Sequence, residues 1–271
     1  MKVLYHHPCV DGFSAAYLFH HFLRLEEKDL IPVSYGREPP WSQIKGEEVV
    51  IVDFSYPRDV LLSMKEQTRS LLVLDHHKSA QEDLQGLDFC VFDMERSGVM
   101  LAWDHLNKRP PDKDHWVLYV QDHDLYQFKL KDSHYHRNVF QATPFTVDAW
   151  TTLVCGQPEQ RVLAGMGIQK YKERSVRLHL EHTTDVTLEG HRVPFLNCTD
   201  VGLVSELGHA MALERPFSVT WRRDLRKYTL SLRSVEGKED VSVVAKALGG
   251  GGHKHAAGAT LSSDQFKTLF G

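Results

Sequence analysis

Carboxylate and imidazole side chains come directly after three apolar segments of strand length in this sequence. Asp53 follows the segment 49–52, and the run Asp75, His76 and His77 follows the segment 71–74. The first segment, 3–5, is followed by His6, His7, Pro8, Cys9, Val10, Asp11 and Gly12. Carboxylates packed closely together repel one another and take up protons, whereas a divalent cation holds them in the ionised form. These residue types at these positions predict a metal centre.

The three positions are expected to meet if the apolar segments are neighbouring strands of a parallel sheet. Ligands bind to such sheets outside the carboxyl ends of the strands, and adjacent strands lie only about 4.8 Å apart. Taken singly, an aspartate after a strand is more often a helix cap, and a histidine pair is more often exposed or part of the core. Together they favour a two-metal site, in which one carboxylate bridges ions about 3.5–4 Å apart. Carboxylate with imidazole suits Mn²⁺ better than a structural zinc.

A fourth acidic position lies at the end of the apolar run that begins at Trp116. Asp122 and Asp124 both occur there, and either carboxylate would complete the cluster. The alternative is an ordinary helix end followed by a solvated turn.

A run of four glycines, 249–252, precedes His253 and Lys254 near the end of the chain. Glycines let backbone N–H groups approach an anion closely, and the following side chains add charge-assisted bonds to a phosphate. A flexible linker has a similar composition. Arg233 ends a predicted strand before this run, and among the basic residues of this region it is the best candidate for a phosphate clamp.

Strand-length apolar segments alternate with helix-period segments through the first half of the chain, which predicts an α/β fold with a parallel sheet. The stretch from Glu159 to about His182 predicts a single long helix. Shorter strands and two or three helices follow it, which is typical of a small α+β domain. We therefore expect a catalytic domain over 1–155, a connector helix over 156–182 and a second domain over 183–271.

The composition is that of a folded globular protein. The chain has 271 residues, of which 42% are hydrophobic and 25% are charged, and its net charge is -4. That charge argues against broad binding to long duplexes and leaves open a small anionic substrate in a basic pocket. The four cysteines show no CxxC spacing, and no membrane span or export signal is readable, so we expect a cytoplasmic protein without a membrane partner.

These residues resemble those of the DHH phosphoesterases that carry a C-terminal DHHA1 domain. The triad is Asp75, His76 and His77, and the companion signature is Gly250, Gly251, Gly252 and His253 followed by Ala256, Ala257 and Gly258. The segment from His6 to Gly12, Asp53 and the region of Asp122 correspond to the family's other motifs in the same order. The resemblance covers nearly the whole chain and is strongest to the oligoribonuclease and exopolyphosphatase-related branch.

The resemblance implies a parallel-sheet DHH domain, a long joining helix and a smaller α+β DHHA1 domain, with the active site in the cleft between the domains. It implies that Asp53 bridges two Mn²⁺ ions, that Asp11, His76 and Asp122 hold one ion, and that a motif I histidine helps to hold the other. His77 would contact the phosphate, and Asp75 would orient the histidine pair. Arg233, Gly250, Gly251, Gly252 and His253 would bind the substrate phosphate.

One position departs from the pattern, because Cys9 stands where many members have an aspartate. Branches with a His-x-x-Cys-x-Asp-Gly motif favour His6 over His7 as the ligand. If Cys9 is a ligand, its softer sulfur weakens Mn²⁺ binding at this site or admits Zn²⁺ or Fe²⁺. Mg²⁺ is a further candidate for the centre as a whole. The alternative is a small buried thiol beside an intact site.

The function implied is Mn²⁺-dependent hydrolysis of phosphodiester bonds in short single-stranded oligonucleotides or small phosphorylated nucleotides. Alternatives within catalysis are a cyclic nucleotide phosphodiesterase, a 3′-phosphoadenosine phosphate phosphatase and a polyphosphatase. A different class of function is a nucleotide-binding module whose catalysis is impaired by Cys9. The pattern leaves the oligomeric state, the natural substrate and the cleavage polarity open.

Overall fold

The computed structural model describes residues 1–107, 109–225 and 227–270. The chain divides into two compact units, Met1–Ile168 and Gln169–Gly271. One long helix, α9 (Pro158–Leu180), begins in the first unit and ends in the second. The predicted joining helix is therefore present, whereas the predicted domain limits remain an expectation.

The first unit contains a parallel sheet of five strands in the order β2-β1-β3-β4-β5. These strands are β1 (Lys2–His6), β2 (Leu30–Val33), β3 (Glu48–Val52), β4 (Ser70–Asp75) and β5 (Cys90–Phe92). Helices pack around this sheet in the pattern that the alternating segments predicted. They are α1 (Val10–Leu23), α2 (Trp41–Ile44), α3 (Arg58–Gln67), α4 (Lys78–Asp83), α5 (Gly98–Leu106), α6 (Trp116–Asp124), α7 (Ser133–Ala142) and α8 (Val147–Cys155), with a 3-10 turn at Glu27–Asp29.

The sheet of the first unit is buried on both faces. Along β1, Val3 and Tyr5 pack into the cluster that contains Phe13 of α1, whereas Leu4 packs into the cluster that contains Leu61 of α3. Successive side chains of a strand point to opposite faces, so a sheet covered on both sides needs apolar residues at nearly every position. This explains why the strands appear in the sequence as short continuous apolar runs.

The second unit is built on a mixed sheet of six strands in the order β10-β11-β9-β8-β7-β6. The strands are β6 (Thr184–Leu188), β7 (His191–Asn197), β8 (Ser218–Asp224), β9 (Lys227–Arg233), β10 (Gly251–His253) and β11 (Ala256–Ser262). Its helices are α10 (Val204–Ala212), α11 (Val241–Ala247) and α12 (Ser263–Phe270). The fold class is thus confirmed: a parallel α/β unit joined by a long helix to a smaller α+β unit. Trp221 and Tyr228 pack their rings against Phe266 of α12.

Among the described residues, none of the helices combines the length and the apolar character that crossing a bilayer requires.

Candidate metal centre

The carboxyl ends of β1, β3 and β4 lie side by side at one edge of the first sheet. Tyr5 pairs with Val52, and Val52 pairs with Leu74, so the next residue along each strand reaches the same edge. These next residues are His6, Asp53 and Asp75, and His76 and His77 follow. The predicted convergence of the three segments is therefore present in the fold.

Asp53 occupies the middle of the cluster. It is 1% exposed, and its Oδ1 lies 3.1 Å from His76 Nε2 while its Oδ2 lies 3.4 Å from His6 Nδ1. Its backbone has φ of +54°, and its N–H donates to the Leu74 carbonyl at 3.0 Å. A non-glycine residue in this left-handed region costs about 1 kcal/mol or more, and such residues cluster at functional sites. Burial alone would raise the pKa of Asp53, but the imidazoles of His6 and His76 hold it well below its usual range.

Asp11 is fixed by the N-terminus of α5. Its carboxylate, 1% exposed, accepts hydrogen bonds from the backbone N–H groups of Gly98 and Val99. A Cβ atom at Gly98 would lie 2.6 Å from Asp53 Cβ and 2.7 Å from Asp11 Oδ2. The cluster therefore requires glycine at the start of α5. Gly98 is not among the residues predicted from the sequence, although the Ser-Gly pair at the start of an apolar helix is a signal for such a position.

The His76 imidazole lies within 4 Å of three carboxylates. Its Nε2 lies 3.1 Å from Asp53 Oδ1, 3.4 Å from Asp124 Oδ2 and 3.8 Å from Asp11 Oδ2. Burial lowers the pKa of His76, but the hydrogen bond to Asp53 and the charges of Asp11 and Asp124 raise it to about 9 overall. Burial, and then the charges of Asp124 and Asp53, raise the pKa of Asp11.

Asp124 rather than Asp122 lies beside His76, so the geometry favours Asp124 of the two candidate aspartates as the fourth carboxylate. The Asp122 carboxylate accepts hydrogen bonds from the backbone N–H groups of Lys129 at 2.8 Å and Leu130 at 3.3 Å, so it organises the loop after α6. Helix residues two positions apart lie about 200° apart around the axis, so the two aspartates face different sides. Burial, and then Asp53, raise the pKa of Asp124 to about 6.

Asp75 is fully buried and holds His77 in place. Its Oδ1 accepts from His77 Nδ1 at 2.6 Å and from the His76 backbone N–H at 2.8 Å, and its Oδ2 accepts from Ser55 Oγ at 2.6 Å. The hydrogen bond to Asp75 raises the pKa of His77. With Nδ1 engaged in this way, His77 has its Nε2 available for another partner. Ser55, which the sequence analysis did not single out, completes this arrangement.

Motif I contributes His6 and Cys9 to the cluster. One potential ligand atom from each of His6, Cys9 and Asp53 lies within 4.8 Å of the others. His7 instead packs its ring against Tyr5 and Phe145, with centroids 6.1 Å and 5.6 Å away. The geometry thus favours His6 over His7. Burial, and then the charges of Asp53 and Asp11, raise the pKa of the Cys9 thiol well above its usual range.

The potential ligand atoms form three overlapping groups, which are His6, Cys9 and Asp53; Asp53, Asp75, His76 and His77; and Asp11, His76 and Asp124. The first and the third of these are the two donor sets, and they adjoin because Asp53 Oδ1 lies 3.1 Å from His76 Nε2. Within the part of the chain that the structure describes, Asp53 Oδ2 is buried and makes no hydrogen bond, and its ion-pair contact is the His6 imidazole at 3.4 Å. A buried carboxylate oxygen held only by this longer contact gains from a bound cation. Carboxylate and imidazole ligands with one thiol therefore fit two first-row divalent cations.

The predicted phosphate-binding residues of the second unit lie in one row of its sheet. Arg233 pairs with Ala256, and Ala256 pairs with His253 on the next strand. The Arg233 guanidinium donates to Ser205 Oγ at 3.2 Å and to the Leu232 carbonyl at 3.0 Å.

The glycine run begins a short β-hairpin. Gly251 and Gly252 belong to β10, which pairs with β11 in a short hairpin, and the Gly250 N–H donates to the Ala245 carbonyl at 2.8 Å. A Cβ atom at Gly250 would lie 2.1 Å from the Gly258 carbonyl oxygen, and one at Gly252, where φ is +143°, would lie 2.5 Å from Ala257 Cα. These glycines therefore permit β10 and β11 to approach each other closely.

Comparison with known proteins gives the following similarities. Residues 207–270 match the DHHA1 domain. The uncharacterized protein R106 of Acanthamoeba polyphaga mimivirus is 28% identical over 285 residues, covering 96% of this chain and 67% of that protein.

Three solved structures share the fold over 99% of this chain. The DHH domain of PF0399, a member of the s1p family of ribosomal proteins, has a TM-score of 0.61 at 13% identity, with 84% of that chain covered. RecJ from Thermus thermophilus in complex with Mn²⁺ has a TM-score of 0.58 at 15% identity, with 50% covered. The pGpG-specific phosphodiesterase PggH from Vibrio cholerae has a TM-score of 0.54 at 13% identity, with 96% covered.

Proposed function

We propose that this chain, a member of the DHH/DHHA1 family by its fold and its C-terminal domain, is a divalent-cation-dependent phosphoesterase. Its expected substrates are short single-stranded oligonucleotides or small phosphorylated nucleotides, and the expected ion is Mn²⁺. The observation that carries this proposal is the pair of donor sets that adjoin at Asp53. A site for two ions about 3.5–4 Å apart is the arrangement that metal-dependent phosphate chemistry uses.

Two divalent cations bound by these sets would supply the positive charge that activates water and stabilises the phosphoryl oxygens. The side chains of the protein position and hold the reacting groups. Asp53 presents one oxygen to each set, Asp11 is held rigidly by α5, and Asp124 and His76 complete the second set. His77, oriented by Asp75, would direct Nε2 as a hydrogen-bond donor towards a phosphate oxygen.

Arg233 and His253 are proposed to bind the substrate phosphate. They occupy one row of the second sheet with Ala256 of β11 between them, so their backbones lie two strand spacings, or about 10 Å, apart. Two long side chains that converge from this distance would bind one phosphate between them. The guanidinium offers a planar set of donors that suits phosphate. Gly250, Gly251 and Gly252 are proposed to adjoin the same anion; because the Gly250 N–H already donates to the Ala245 carbonyl, their contribution would be the close approach that the absence of side chains allows.

The preference for Mn²⁺ over Zn²⁺, Fe²⁺ or Mg²⁺ depends on Cys9. The carboxylates and imidazoles favour a borderline-hard ion such as Mn²⁺. If the Cys9 thiol deprotonates and binds an ion, the donor set of His6, Cys9 and Asp53 contains a soft sulfur ligand. All four cysteines are unpaired, which agrees with the cytoplasmic location that we propose.

The similarity in fold to a protein named as a pGpG-specific phosphodiesterase supports a dinucleotide-sized substrate. The alternatives are a cyclic nucleotide phosphodiesterase, a 3′-phosphoadenosine phosphate phosphatase and a polyphosphatase. A binding module impaired by Cys9 is the alternative from another class. The Cys9→Asp variant separates it: an impaired module should gain activity, whereas a working enzyme should change mainly its metal preference.

The proposal is tested by incubating the protein with a labelled dinucleotide, a cyclic nucleotide, 3′-phosphoadenosine phosphate and tripolyphosphate, with and without Mn²⁺. Mass spectrometry of the products should show mononucleotides from the dinucleotide only when the metal is present. Asp53→Asn should abolish turnover, because this residue serves both donor sets, while the exposed Asp59→Asn of α3 should leave it unchanged. Metal-dependent turnover that survives Asp53→Asn would place the chemistry elsewhere.

A further inference from the structure

An exposed aromatic side chain lies against His6, a member of the donor set that also contains Cys9 and Asp53. Tyr35 is 57% exposed, and its ring centroid lies 5.4 Å from the His6 imidazole in an edge-to-face arrangement. The same ring lies 4.6 Å from Phe54, which is 1% exposed and in turn packs 4.8 Å from Tyr56. Tyr35 is thus the outermost ring of an aromatic stack that continues into the core.

The backbone fixes the position of Tyr35. Residues 34–37 form a turn in which the Arg37 N–H donates to the Ser34 carbonyl at 3.2 Å. Gly36 occupies the third position with φ of +75°, a conformation that such turns reserve for glycine. Ser34 Oγ donates to the His7 carbonyl at 2.6 Å, which ties the turn to the chain that leaves β1. The ring is therefore presented beside the metal centre with little conformational freedom to lose on binding.

A single exposed aromatic residue is ordinary on a protein surface. Tyr35 differs because its ring packs against a candidate metal ligand while more than half of the residue's surface is accessible. A substrate whose phosphate reached the metal centre would carry its neighbouring groups past this ring. Polyphosphate has only charged oxygens to offer there, whereas a nucleotide has a planar base one sugar away from its phosphate.

We propose that Tyr35 is a stacking residue that binds the nucleobase next to the phosphate being hydrolysed. The inference rests on the proposed function and narrows its substrate class to compounds that carry a base, which disfavours the polyphosphatase alternative. Stacking of a base on an aromatic side chain tolerates any sequence, since every base has a π face. Loss of one such contact typically weakens binding about 5- to 150-fold.

The test combines removal of the tyrosine ring with removal of the base. Wild type, Tyr35→Ala, Tyr35→Phe and Tyr35→Trp are assayed with Mn²⁺ on a dinucleotide and on two analogues, each abasic at one of its two positions. Tyr35→Ala should raise KM for the intact dinucleotide about 5- to 150-fold with little change in kcat. On the one analogue that lacks the stacked base, Tyr35→Ala should have the same KM as wild type. The Phe and Trp variants should behave like wild type.

Phe22→Ala is the matched control, because it also removes a partly exposed ring from the first unit. Phe22 is 38% exposed and lies eleven residues after Asp11 on α1, which is about 16 Å along the helix axis. The KM of Phe22→Ala for the dinucleotide should equal that of wild type. Thermal unfolding of each variant verifies that the fold is intact.

A direct readout uses a dinucleotide with 2-aminopurine at the stacked position. When this dinucleotide is mixed with wild type, stacking on Tyr35 should quench the 2-aminopurine fluorescence before cleavage begins. Tyr35→Ala should abolish that quenching. Equal losses on intact and abasic substrates, or a fall in kcat without a change in KM, would overturn the stacking role. Cleavage of none of the dinucleotides by wild type would instead contradict the proposed function, so the two failures are distinguishable.

Discussion

The assignment of Asp124 instead of Asp122 to the metal centre makes a quantitative prediction about two neighbouring residues. Asp124→Asn removes the charge that lies 3.4 Å from His76 Nε2. Loss of an outer partner of a metal ligand typically costs 10- to 100-fold in affinity, so loss of a ligand should weaken one of two Mn²⁺ ions by at least about 100-fold. Asp122→Asn should leave both ions bound.

Asp122→Asn should act on stability instead. The carboxylate accepts two backbone hydrogen bonds in the loop after α6, and a bond to a charged acceptor contributes about 1.5–3 kcal/mol. Asparagine keeps one acceptor oxygen, so the free energy of unfolding should fall by about 2 kcal/mol. Calorimetric Mn²⁺ titration and urea unfolding of both variants separate the effects. If Asp122→Asn lost an ion and Asp124→Asn bound both normally, the assignment would be wrong.

Two further predictions concern packing and pH. Gly98→Ala should lower the free energy of unfolding by about 1–3 kcal/mol and weaken Mn²⁺ binding, because the new Cβ would overlap Asp53 and Asp11. Gly167→Ala is the control, since a Cβ there meets nothing within 4 Å, and urea unfolding should show it to be neutral or stabilising. Burial, and then Arg161, lower the pKa of His136 to about 4, below its ordinary value of 6.5, so the unfolded chain binds a proton that the folded chain resists. Stability should therefore fall by about 2 kcal/mol from pH 7 to pH 5 and level off below about pH 4. His136→Asn should remove that fall, and an unchanged pH profile would show that another group is responsible.

The edge where the metal centre lies was predictable because it follows from local patterns and one topological rule. The apolar runs before His6, Asp53 and Asp75 are long enough for buried strands, and the carboxyl ends of parallel strands share an edge. The residues meet because β1, β3 and β4 are adjacent and β2 lies at the edge of the sheet, and this strand order was an assumption of the prediction that the fold supplies. The parallel sheet and the candidate donors were therefore predicted without tertiary information.

The features that the sequence did not reveal depend on contacts between elements. Asp122 and Asp124 have the same chemistry, and only the end of α6 decides which one turns towards His76. Gly98 is required because α5 meets Asp11 and Asp53, an approach that no local pattern records. The glycines before His253 have the same composition in a flexible loop as in a hairpin with closely spaced strands, so the sequence pattern could not distinguish the two.

The ion pairs of the cluster argue for a binding site over a structural network. Four carboxylates are fully or largely buried there, and burial of a charge is costly unless it is paired. A purely structural network would use arginine or lysine, which keep their charge and suit buried pairs. Among the described residues, however, the recorded ion-pair partners of Asp11, Asp53, Asp75 and Asp124 are the histidines His6, His76 and His77. An imidazolium can release its proton and offer the same nitrogen to a metal ion, so the cluster can exchange protons for divalent cations without rearranging its carboxylates.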